Sequence, residues 1–380
     1  PVLTGDLDKD IRAAYRGGFC YANPRFTEKD LGNGIVLDVN SLYPSQMYYR
    51  MLPYGEPVPF LGEYQKDEFY PLYVQLIVIE FHVKQGHIPT IQIKKNPRFV
   101  ENEYLTDNGF EPVAMWVTNI DLELIKEHYE IDSIEYIRGY KFKACNTFFR
   151  EYIDKWMKVK MQATIDGNGG LRTLAKQMLN ALYGKFGLNP SVRSHIPYFD
   201  LEKNKVCYRY GEEEIRDPIY IPMAVFITSW ARYTTITAAQ SCYDRFCYAD
   251  TDSLHLIGLD EPAGIEVDPV KLGAWKHEST FSKARYVRQK CYAEEIDGEM
   301  KITCAGMPER SYKGVKIKKE GEHFEIKGNV YFLKPDTKLP DGVYNGVTWE
   351  NFHKGNTFLG RLRPIHTAGG IVLINSAFTI

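Results

Sequence analysis

Two aspartates, Asp250 and Asp252, lie two residues apart between two apolar runs. The runs at 246–248 and 254–257 are typical of strands, so the segment predicts a β-hairpin with both carboxylates at its bend. Strand alternation would aim both side chains at the same face. An acidic pair in a half-buried turn is costly unless a cation neutralises it, and carboxylate oxygens favour Mg²⁺. Alone, however, such a pair is more typical of a polar hairpin turn.

A second acidic position ends another predicted strand, far upstream. The apolar residues 35–37 lead directly to Asp38, and Asn40, Ser41 and Pro44 then turn the chain towards a helix. Two cations about 3.5–4 Å apart need a carboxylate that bridges them, with ligands contributed by separate strands. Asp38 and the acidic hairpin together therefore predict a two-metal site.

A predicted helix at 171–186 supplies a third element with two distinct faces. Its apolar positions predict a buried stripe of Leu171, Leu174, Met178 and Leu182. Its polar face, at i, i+4, i+8 and i+11, comprises Arg172, Lys176, Asn180 and Tyr183. Two cations, an amide and an aromatic ring suit a ligand that carries phosphates and a base, although a single lysine is more often simply solvated. Gly184 favours a helix end or a close approach of ligand.

In this order, the motifs resemble those of family B DNA polymerases. They read Asp-x-x-Ser-Leu-Tyr-Pro from Asp38, Lys-x-x-x-Asn-x-x-Tyr-Gly from Lys176 and Tyr-x-Asp-Thr-Asp-Ser from Tyr248. Other segments resemble the protein-primed subgroup of that family, namely 15–18, 52–57, 228–232, 290–292 and 369–373. The resemblance covers nearly the whole chain. It implies an α+β right-hand polymerase fold, with an antiparallel-sheet palm, helical fingers, a small β-rich thumb and two insertions of the subgroup.

The order of the motifs implies how these parts follow one another along the chain. The palm would comprise residues 1–50 and 218–309, the fingers 149–187 and the thumb 310–380. The first insertion, at 51–148, would contact a priming protein, and the second, at 188–217, would be a β-hairpin. Within the fingers, the glycine-rich residues 166–170 would separate two antiparallel helices.

The resemblance also implies roles for individual residues. The catalytic metal ligands would be Asp38, Asp252, the Val39 carbonyl and, as an auxiliary carboxylate, Asp250; they would hold two Mg²⁺ ions, for which Mn²⁺ could substitute. Backbone N–H groups of Ser41 and Leu42, together with Lys160 and Lys176, would bind the phosphates of the nucleotide. Tyr43 would act as a steric gate against a 2′-hydroxyl. Asn180, Tyr183 and Tyr248 would lie near the base and sugar. The DNA would contact Tyr15, Gly17, Gly18, Gly184, Phe186, Thr228, Arg232, Lys290 and Tyr292.

The activity that the resemblance implies is template-directed DNA synthesis, in which dNTPs are added to a primer 3′-hydroxyl by two-metal phosphoryl transfer during protein-primed phage replication. The implied partners are template–primer DNA, dNTPs and a terminal priming protein, for a monomer in the cytoplasm of a host bacterium. Seven cysteines without a Cys-x-x-Cys pair indicate a reducing compartment, and no apolar run reaches transmembrane length. The net charge of −2 would not itself indicate a nucleic-acid partner; positive charge is local, at 155–160 and 283–290.

Family members carry a proofreading exonuclease before the segment that resembles 15–18. Because this chain opens at Pro1, we expect no 3′→5′ exonuclease activity and weaker strand displacement. The Asp-x-Glu elements at 121–123 and 200–202 are interpreted as chance matches to the exonuclease motif. Two alternatives stay open: an RNA-templated polymerase, which usually has adjacent aspartates at the hairpin, and an inactive fragment that binds DNA or the priming protein.

Overall fold

A computed structural model describes residue 3 and residues 5–94, 102–216, 219–367 and 370–380. The predicted boundary at 217 and 218 and Gly369 of the C-terminal motif lie outside the described residues. The helices are α1 Gly5–Ala13, α2 Leu42–Tyr49, α3 Asn119–His128, α4 Arg150–Ile165, α5 Gly169–Phe186, α6 Ile221–Ser241 and α7 Glu309–Lys313.

Most strand pairs are antiparallel and lie in sheets beside these helices, which confirms the predicted α+β class. The strands are β1 Cys20–Ala22, β2 Gly34–Val39, β3 Leu52–Leu61, β4 Leu72–Val83, β5 Gln92–Lys94, β6 Asn102–Tyr104, β7 Val113–Thr118, β8 Tyr129–Cys145, β9 Ser191–Asp200, β10 Lys205–Ile215, β11 Phe246–Asp250, β12 Ser253–Ile257, β13 Trp275–Phe281, β14 Lys283–Arg288, β15 Cys291–Ile296, β16 Glu299–Cys304, β17 Glu322–Ile326, β18 Asn329–Leu333, β19 Val343–Tyr344, β20 Thr357–Thr367 and β21 Gly370–Thr379.

The chain folds as two compact units that do not follow the predicted segments. The first comprises 1–23, 34–190 and 216–280, and the second comprises 24–33, 191–215 and 281–380. The segment predicted as the second part of the palm is therefore divided after residue 280. The β9–β10 hairpin, predicted at 188–217, is present and belongs to the second unit.

The central sheet of the first unit has the strand order β1-β11-β12-β2-β13. Strands β11 and β12 form the predicted acidic hairpin, and β12 pairs antiparallel with β2. Leu37 and Leu254 are paired in this register and fully buried, so the apolar core fixes the alignment of the two strands. Asp38 consequently lies opposite Ser253, one residue beyond the hairpin turn.

Helix α6 is buried along most of its length and packs against α1, α2, α3 and α5. Only one of its 21 residues is charged, Arg232, and such a helix is typical of a protein interior. A second sheet in this unit, of order β3-β8-β4-β7, accounts for the strands predicted in the first insertion. Among the described residues, no helix combines the length and apolar character needed to cross a membrane.

The predicted pair of helices at 149–187 is confirmed as α4 and α5, joined by a short turn. The Asn168 side chain accepts a hydrogen bond from the Leu171 N–H and so caps the start of α5. The predicted buried stripe of α5 is wrong at Leu171 and Leu174, which are 39 % and 47 % exposed, whereas Met178 and Leu182 are partly buried. Ala175 and Leu179 are buried instead, since α5 packs against α2, α4 and α6 through the face that carries them.

In the second unit, β14, β15 and β16 form a three-stranded antiparallel sheet. A five-stranded sheet of order β18-β17-β21-β20-β19 completes the part predicted as the thumb. Two of its strand pairs, β17–β21 and β19–β20, are parallel. The cluster of Phe352, Phe358 and Phe378 packs with Cys291 and Val287 in the core of this unit.

Candidate active site

Asp38 and Asp252 meet because the β2–β12 register places the end of one strand at the hairpin turn of the other. The Val39 N–H donates a hydrogen bond of 2.8 Å to the Asp252 carbonyl. The turn is held from two further sides: the Thr251 N–H donates to the Phe19 carbonyl, and the Thr235 hydroxyl donates to the Thr251 carbonyl, each at 2.7 Å. The backbone that carries the second aspartate is therefore fixed by neighbouring strand, helix and loop.

The two aspartates of the hairpin differ in whether they line the cavity that contains Asp38. Thr251 between them has a φ of 67°, and this left-handed conformation ends the alternation of the strand. Asp252 lines this cavity together with Asp38, whereas Asp250 is not among the residues that line it. The auxiliary metal role predicted for Asp250 stays a prediction.

That cavity brings together most of the residues predicted to bind metal and nucleotide. Its volume is about 320 Å³, within the range typical of small-molecule sites. The residues that line it are Asp38, Val39, Asn40, Ser41, Leu42, Tyr43, Lys160, Arg172, Lys176, Asn180, Tyr183, Asp252 and Lys276.

Four cationic side chains face this cavity: Lys160, Arg172, Lys176 and Lys276. Burial, together with the charges of the other three, lowers the pKa of Lys160, while Asp38 opposes the shift. The Lys160 ammonium also donates to the Ser41 hydroxyl at 3.3 Å. Four cations around one cavity repel each other, and a multiply charged anion would relieve that repulsion.

Two further cations line the cavity: Arg172, which was predicted only to share the polar face of α5, and Lys276, which was not predicted. Arg172 could have been assigned, since it precedes Lys176 by one helical turn on the face that suits phosphates. Lys276 could not, because its position depends on the pairing of β13 with β2. Lys276 also forms an ion pair with Glu278 on the same strand.

The predicted steric gate, Tyr43, stacks on Tyr183, with ring centroids 3.8 Å apart and planes 20° from parallel. Burial and the neighbouring Tyr183 raise the pKa of Tyr43, so its hydroxyl stays neutral. Tyr248, predicted beside the sugar, is fully buried and does not line the cavity. Its hydroxyl lies 3.6 Å from the Cys20 sulfur, and the sugar contact predicted for Tyr248 stays a prediction.

The start of α2 is aimed at the same cavity. Ser41 has a φ of 58° and precedes the helix, and Leu42 and Tyr43 are its first residues. The first N–H groups of a helix have no partner within the helix and, with the helix dipole, form an anion site. Ser41 and Leu42 lie at this helix start, and their contact with a phosphate stays a prediction.

The electrostatics of Asp38 fit a divalent cation. Burial and the nearby Asp252 carboxylate raise the pKa of Asp38 to about 6. Two carboxylates that oppose each other's ionisation are stabilised by a shared cation. Asp38, Asp252 and the Val39 carbonyl offer hard oxygen ligands, and Mg²⁺ accepts one or two carboxylates with phosphates completing its shell.

We expect the effect of Mg²⁺ on stability to depend on pH. The raised pKa means that, without metal, the folded state is favoured when Asp38 is protonated. This contribution to the free energy of unfolding is fully present below about pH 4, the pKa of Asp38 in the unfolded state, and is lost as the pH rises through about 6. Mg²⁺ binds the ionised form, so saturating Mg²⁺ should raise Tm by roughly 2–5 °C near pH 8 and by less than about 1 °C near pH 5. Thermal unfolding with Mg²⁺ or with chelator measures this, and an equal shift at both pH values would contradict it.

The segment 15–18 lies against the β11–β12 hairpin, and its predicted contact with DNA stays a prediction. A Cβ atom on Gly18 would come within 2.7 Å of the Thr251 side chain, so glycine is required by packing at this position. The Tyr15 hydroxyl would similarly meet a Cβ on Gly187. Gly17 is exposed, and its carbonyl accepts a hydrogen bond from Arg232.

Thr228 and Arg232, for which DNA contacts were predicted, are both buried on α6, and those contacts stay predictions. Thr228 is 1 % exposed, and its hydroxyl donates to the carbonyls of Ala224 and Val225. Arg232 is 2 % exposed and forms a bidentate ion pair with the Asp121 carboxylate at 2.8 Å.

Arg232 joins three parts of the first unit. Besides Asp121, its guanidinium donates to the carbonyls of Arg16 and Gly17 at 2.8 and 3.0 Å. Burial opposes the ionisation of Asp121, but the charges of Arg232 and Arg16 outweigh it and lower the pKa of that carboxyl. The Asp-x-Glu element at 121–123 is thus part of a buried ion pair, in agreement with its interpretation as a chance match.

The remaining predicted DNA residues are spread over both units. Gly184 is exposed on α5, and Phe186 packs edge-on against Phe149. Lys290 lies at the turn between β14 and β15 of the second unit, with a φ of 55°, and Tyr292 lies on β15. Their contacts with DNA stay predictions.

Comparison with known proteins gives consistent matches. The profile of the family described as "DNA polymerase type B, organellar and viral" matches residues 1–268. The DNA polymerases of Bacillus phages Nf and phi29 are 49 % and 48 % identical over 387 residues, covering the whole chain and 64 % and 63 % of the relatives. The DNA polymerase of Streptococcus phage Cp-1 is 33 % identical over 350 residues, which cover 91 % of this chain and 56 % of that protein.

A solved structure gives the same result for the fold. The structure of phi29 DNA polymerase with primer-template DNA and incoming nucleotides matches with a TM-score of 0.83 at 47 % identity, covering 100 % of this chain and 63 % of that one. The right-hand polymerase fold predicted from the sequence is therefore confirmed. The chain spans slightly less than two thirds of the length of the first two phage relatives.

Proposed function

Because this chain belongs to the organellar and viral type B DNA polymerases, we propose that it catalyses the template-directed addition of deoxynucleotides to a primer 3′-hydroxyl. One observation carries the proposal: a single cavity has two carboxylates, Asp38 and Asp252, and four cationic side chains around it. A deoxynucleoside triphosphate with divalent cations presents the complementary charges. Phosphoryl transfer of this kind depends mainly on positioning and charge neutralisation.

Asp38, Asp252 and the Val39 carbonyl would hold two Mg²⁺ ions. When bound, the ions would lower the pKa of the primer hydroxyl and stabilise charge on the departing pyrophosphate. Mn²⁺, which accepts the same oxygen ligands, could replace Mg²⁺. The raised pKa of Asp38 supports this assignment, because it reflects a buried carboxyl with a second carboxylate, Asp252, close to it.

The residues of the chain itself would orient the nucleotide and neutralise its charge. Lys160, Lys176 and the two added cations, Arg172 and Lys276, would neutralise the triphosphate, together with backbone N–H groups at the start of α2. Asn180 and Tyr183 would contact the base. Tyr43 would lie under the sugar, where its ring would leave no room for a 2′-hydroxyl.

We expect Tyr43→Val to weaken selection of the sugar. The smaller side chain removes the ring that would exclude a 2′-hydroxyl, so the ratio of kcat/KM for dATP to that for ATP should fall by about 10–100-fold. Single-nucleotide incorporation with each nucleotide measures the ratio. Tyr54→Val, at an exposed tyrosine outside the cavity, is the control and should leave the ratio unchanged. An unchanged ratio in Tyr43→Val would remove Tyr43 from the gate role.

The proposed partners are template–primer DNA, dNTPs and a terminal priming protein, for a monomer that acts in the cytoplasm of a host bacterium. The first two are supported by the phi29 polymerase structure, which was solved with primer-template DNA and nucleotides. Protein priming rests on the resemblance of the chain to the protein-primed subgroup. The absence of 3′→5′ exonuclease activity from this polypeptide stays a prediction, to be tested with a 3′-labelled single-stranded oligonucleotide.

Extension of a primed template distinguishes the proposed function from the two alternatives. We expect the purified chain with Mg²⁺ and dNTPs to extend a DNA primer on a DNA template much faster than on an RNA template of the same sequence. Faster extension on RNA would favour the RNA-templated polymerase. Binding of primed DNA without extension on either template would favour the inactive fragment.

A further inference from the structure

Two cysteines of the second unit lie directly opposite each other on neighbouring strands. Cys291 begins β15, Cys304 ends β16, and the two are paired in the antiparallel register. Both are thiols, and their sulfur atoms are 3.0 Å apart. Neither residue belongs to the cavity described above.

The register of the hairpin shows that this pair has the backbone spacing of a disulfide. The turn residues Asp297 and Gly298 both have positive φ, 54° and 78°, which is typical of a two-residue turn that closes on a hydrogen-bonded pair, here Ile296 and Glu299. Hydrogen-bonded and non-hydrogen-bonded pairs alternate along the ladder. Cys291 with Cys304 is the fifth pair after Ile296 with Glu299, so it is a non-hydrogen-bonded pair. The Ala305 N–H donates to the Lys290 carbonyl at 2.7 Å, as expected for the hydrogen-bonded pair that follows. Cα atoms of non-hydrogen-bonded pairs are about 4.5 Å apart, within the range that a disulfide spans.

We propose that Cys291 and Cys304 form a modification site, a dithiol that a small disulfide such as oxidised glutathione converts into a cross-strand disulfide. The Cys304 thiolate attacks one glutathione sulfur, which releases one glutathione thiolate and leaves a mixed disulfide. Cys291 gives its proton to solvent, and its sulfur then attacks the Cys304 sulfur and expels the second glutathione. Both protein thiols are oxidised, and one oxidised glutathione is reduced to two molecules of glutathione.

Accessibility sets this order of attack. Cys304 is half-buried, whereas Cys291 is fully buried against Val287 and Phe352. The hydrogen bond with Cys291 lowers the pKa of the Cys304 thiol; burial opposes the shift, and the Arg288 guanidinium adds to it. The half-buried thiol is thus the one with more thiolate character, and the buried one is in place to resolve the mixed disulfide.

The cross-link would stabilise the hairpin without displacing the residues beside it. Successive side chains of a strand point to opposite faces, so the Cys291 sulfur and the Tyr292 ring lie on different faces of β15. The bond would close the β15–β16 loop at its open end, next to the turn that carries Lys290. A disulfide that closes this loop lowers the conformational entropy of the unfolded chain more than that of the native hairpin, so it favours the folded state.

Mass spectrometry of the full 380-residue chain tests the proposal. The reduced protein is equilibrated with glutathione buffers of increasing oxidised fraction, the remaining thiols are alkylated, and the protein is digested with trypsin without reduction. We expect a loss of about 2 Da, for two hydrogen atoms, and a fragment in which residues 291–301 are joined to residues 302–310. Tm should rise by about 2–6 °C on oxidation and return on reduction.

Three variants make the result specific. Cys304→Ser should abolish the linked fragment, and Cys291→Ala should accumulate a glutathione adduct on Cys304. Cys145→Ser, at a half-buried cysteine of the first unit, is the matched control and should keep the link. The proposal is overturned if oxidised wild-type protein yields no fragment joining 291–301 to 302–310, or if the glutathione adduct on Cys304 persists in wild type as it does in Cys291→Ala.

Discussion

Replacing Asp252 by asparagine is expected to lower the rate of nucleotide incorporation by about 10³–10⁴-fold, and Asp38→Asn should have a similar effect. Each substitution keeps the size of the side chain but removes one negative charge from the cavity, together with several kcal/mol of metal-dependent stabilisation of the transition state. Single-turnover incorporation on a primed DNA template measures the loss. Because the β2–β12 register is held by apolar pairs, both variants should fold normally and bind DNA.

Two further aspartates serve as comparisons for this result. Asp260→Asn, at an exposed position outside the cavity, should keep full activity. Asp250→Asn should lose less than about tenfold, because Asp250 does not line the cavity and would act at most as an auxiliary carboxylate. Incorporation by Asp252→Asn at a rate near that of wild type would remove Asp252 from the metal site.

The largest effect on stability is expected for Asp121→Ala. The substitution leaves the Arg232 guanidinium buried without its carboxylate, and loss of one partner of a buried ion pair costs about 3–5 kcal/mol. It also removes the acceptor of hydrogen bonds from Thr118 and Ser229. Urea unfolding measures the loss as a lower midpoint. Amide hydrogen exchange should show lower protection at residues 16–18, because Arg232 donates to the carbonyls of Arg16 and Gly17.

Two further variants test whether the loss of stability comes from leaving a buried charge without its partner. Glu266→Ala removes an exposed partner of Lys271 and should change the free energy of unfolding by less than about 1 kcal/mol. Adding Arg232→Met to Asp121→Leu replaces the whole buried pair by apolar groups and should recover much of the loss. If Asp121→Ala is as stable as Glu266→Ala, the buried pair does not hold the first unit together.

Residues within one strand or one helix were predictable because their spacing carries the information. Asp38 at the end of an apolar run, and Lys176, Asn180 and Tyr183 on one helical face, are read directly from the sequence, and all four line the cavity. Lys276, which no predicted motif contains, was not predictable in this way. Lys276 reaches the cavity only because β13 pairs with β2, a long-range contact for which the sequence has no local signal.

What the sequence did not predict has physical reasons of the same kind. Alternation ends between Asp250 and Asp252 because Thr251 adopts a left-handed conformation, which non-glycine residues seldom do. The resemblance assigned Arg232 to DNA, and its burial against Asp121, which lies 111 residues away, was not predicted. A local signal did exist, since α6 has no other charged residue and such a helix is buried on all sides.

Incorporation of a single nucleotide opposite each of the four template bases tests the central claim most directly. The 380-residue chain is supplied with a primed DNA template, one dNTP at a time and either Mg²⁺ or chelator. We predict that the primer is extended by the complementary nucleotide in each case, only with the metal, and at a rate that Asp252→Asn lowers by about 10³-fold or more. Extension that ignores the template base, or that proceeds equally well in chelator or with Asp252→Asn, would contradict the assignment of this cavity as a templated polymerase site.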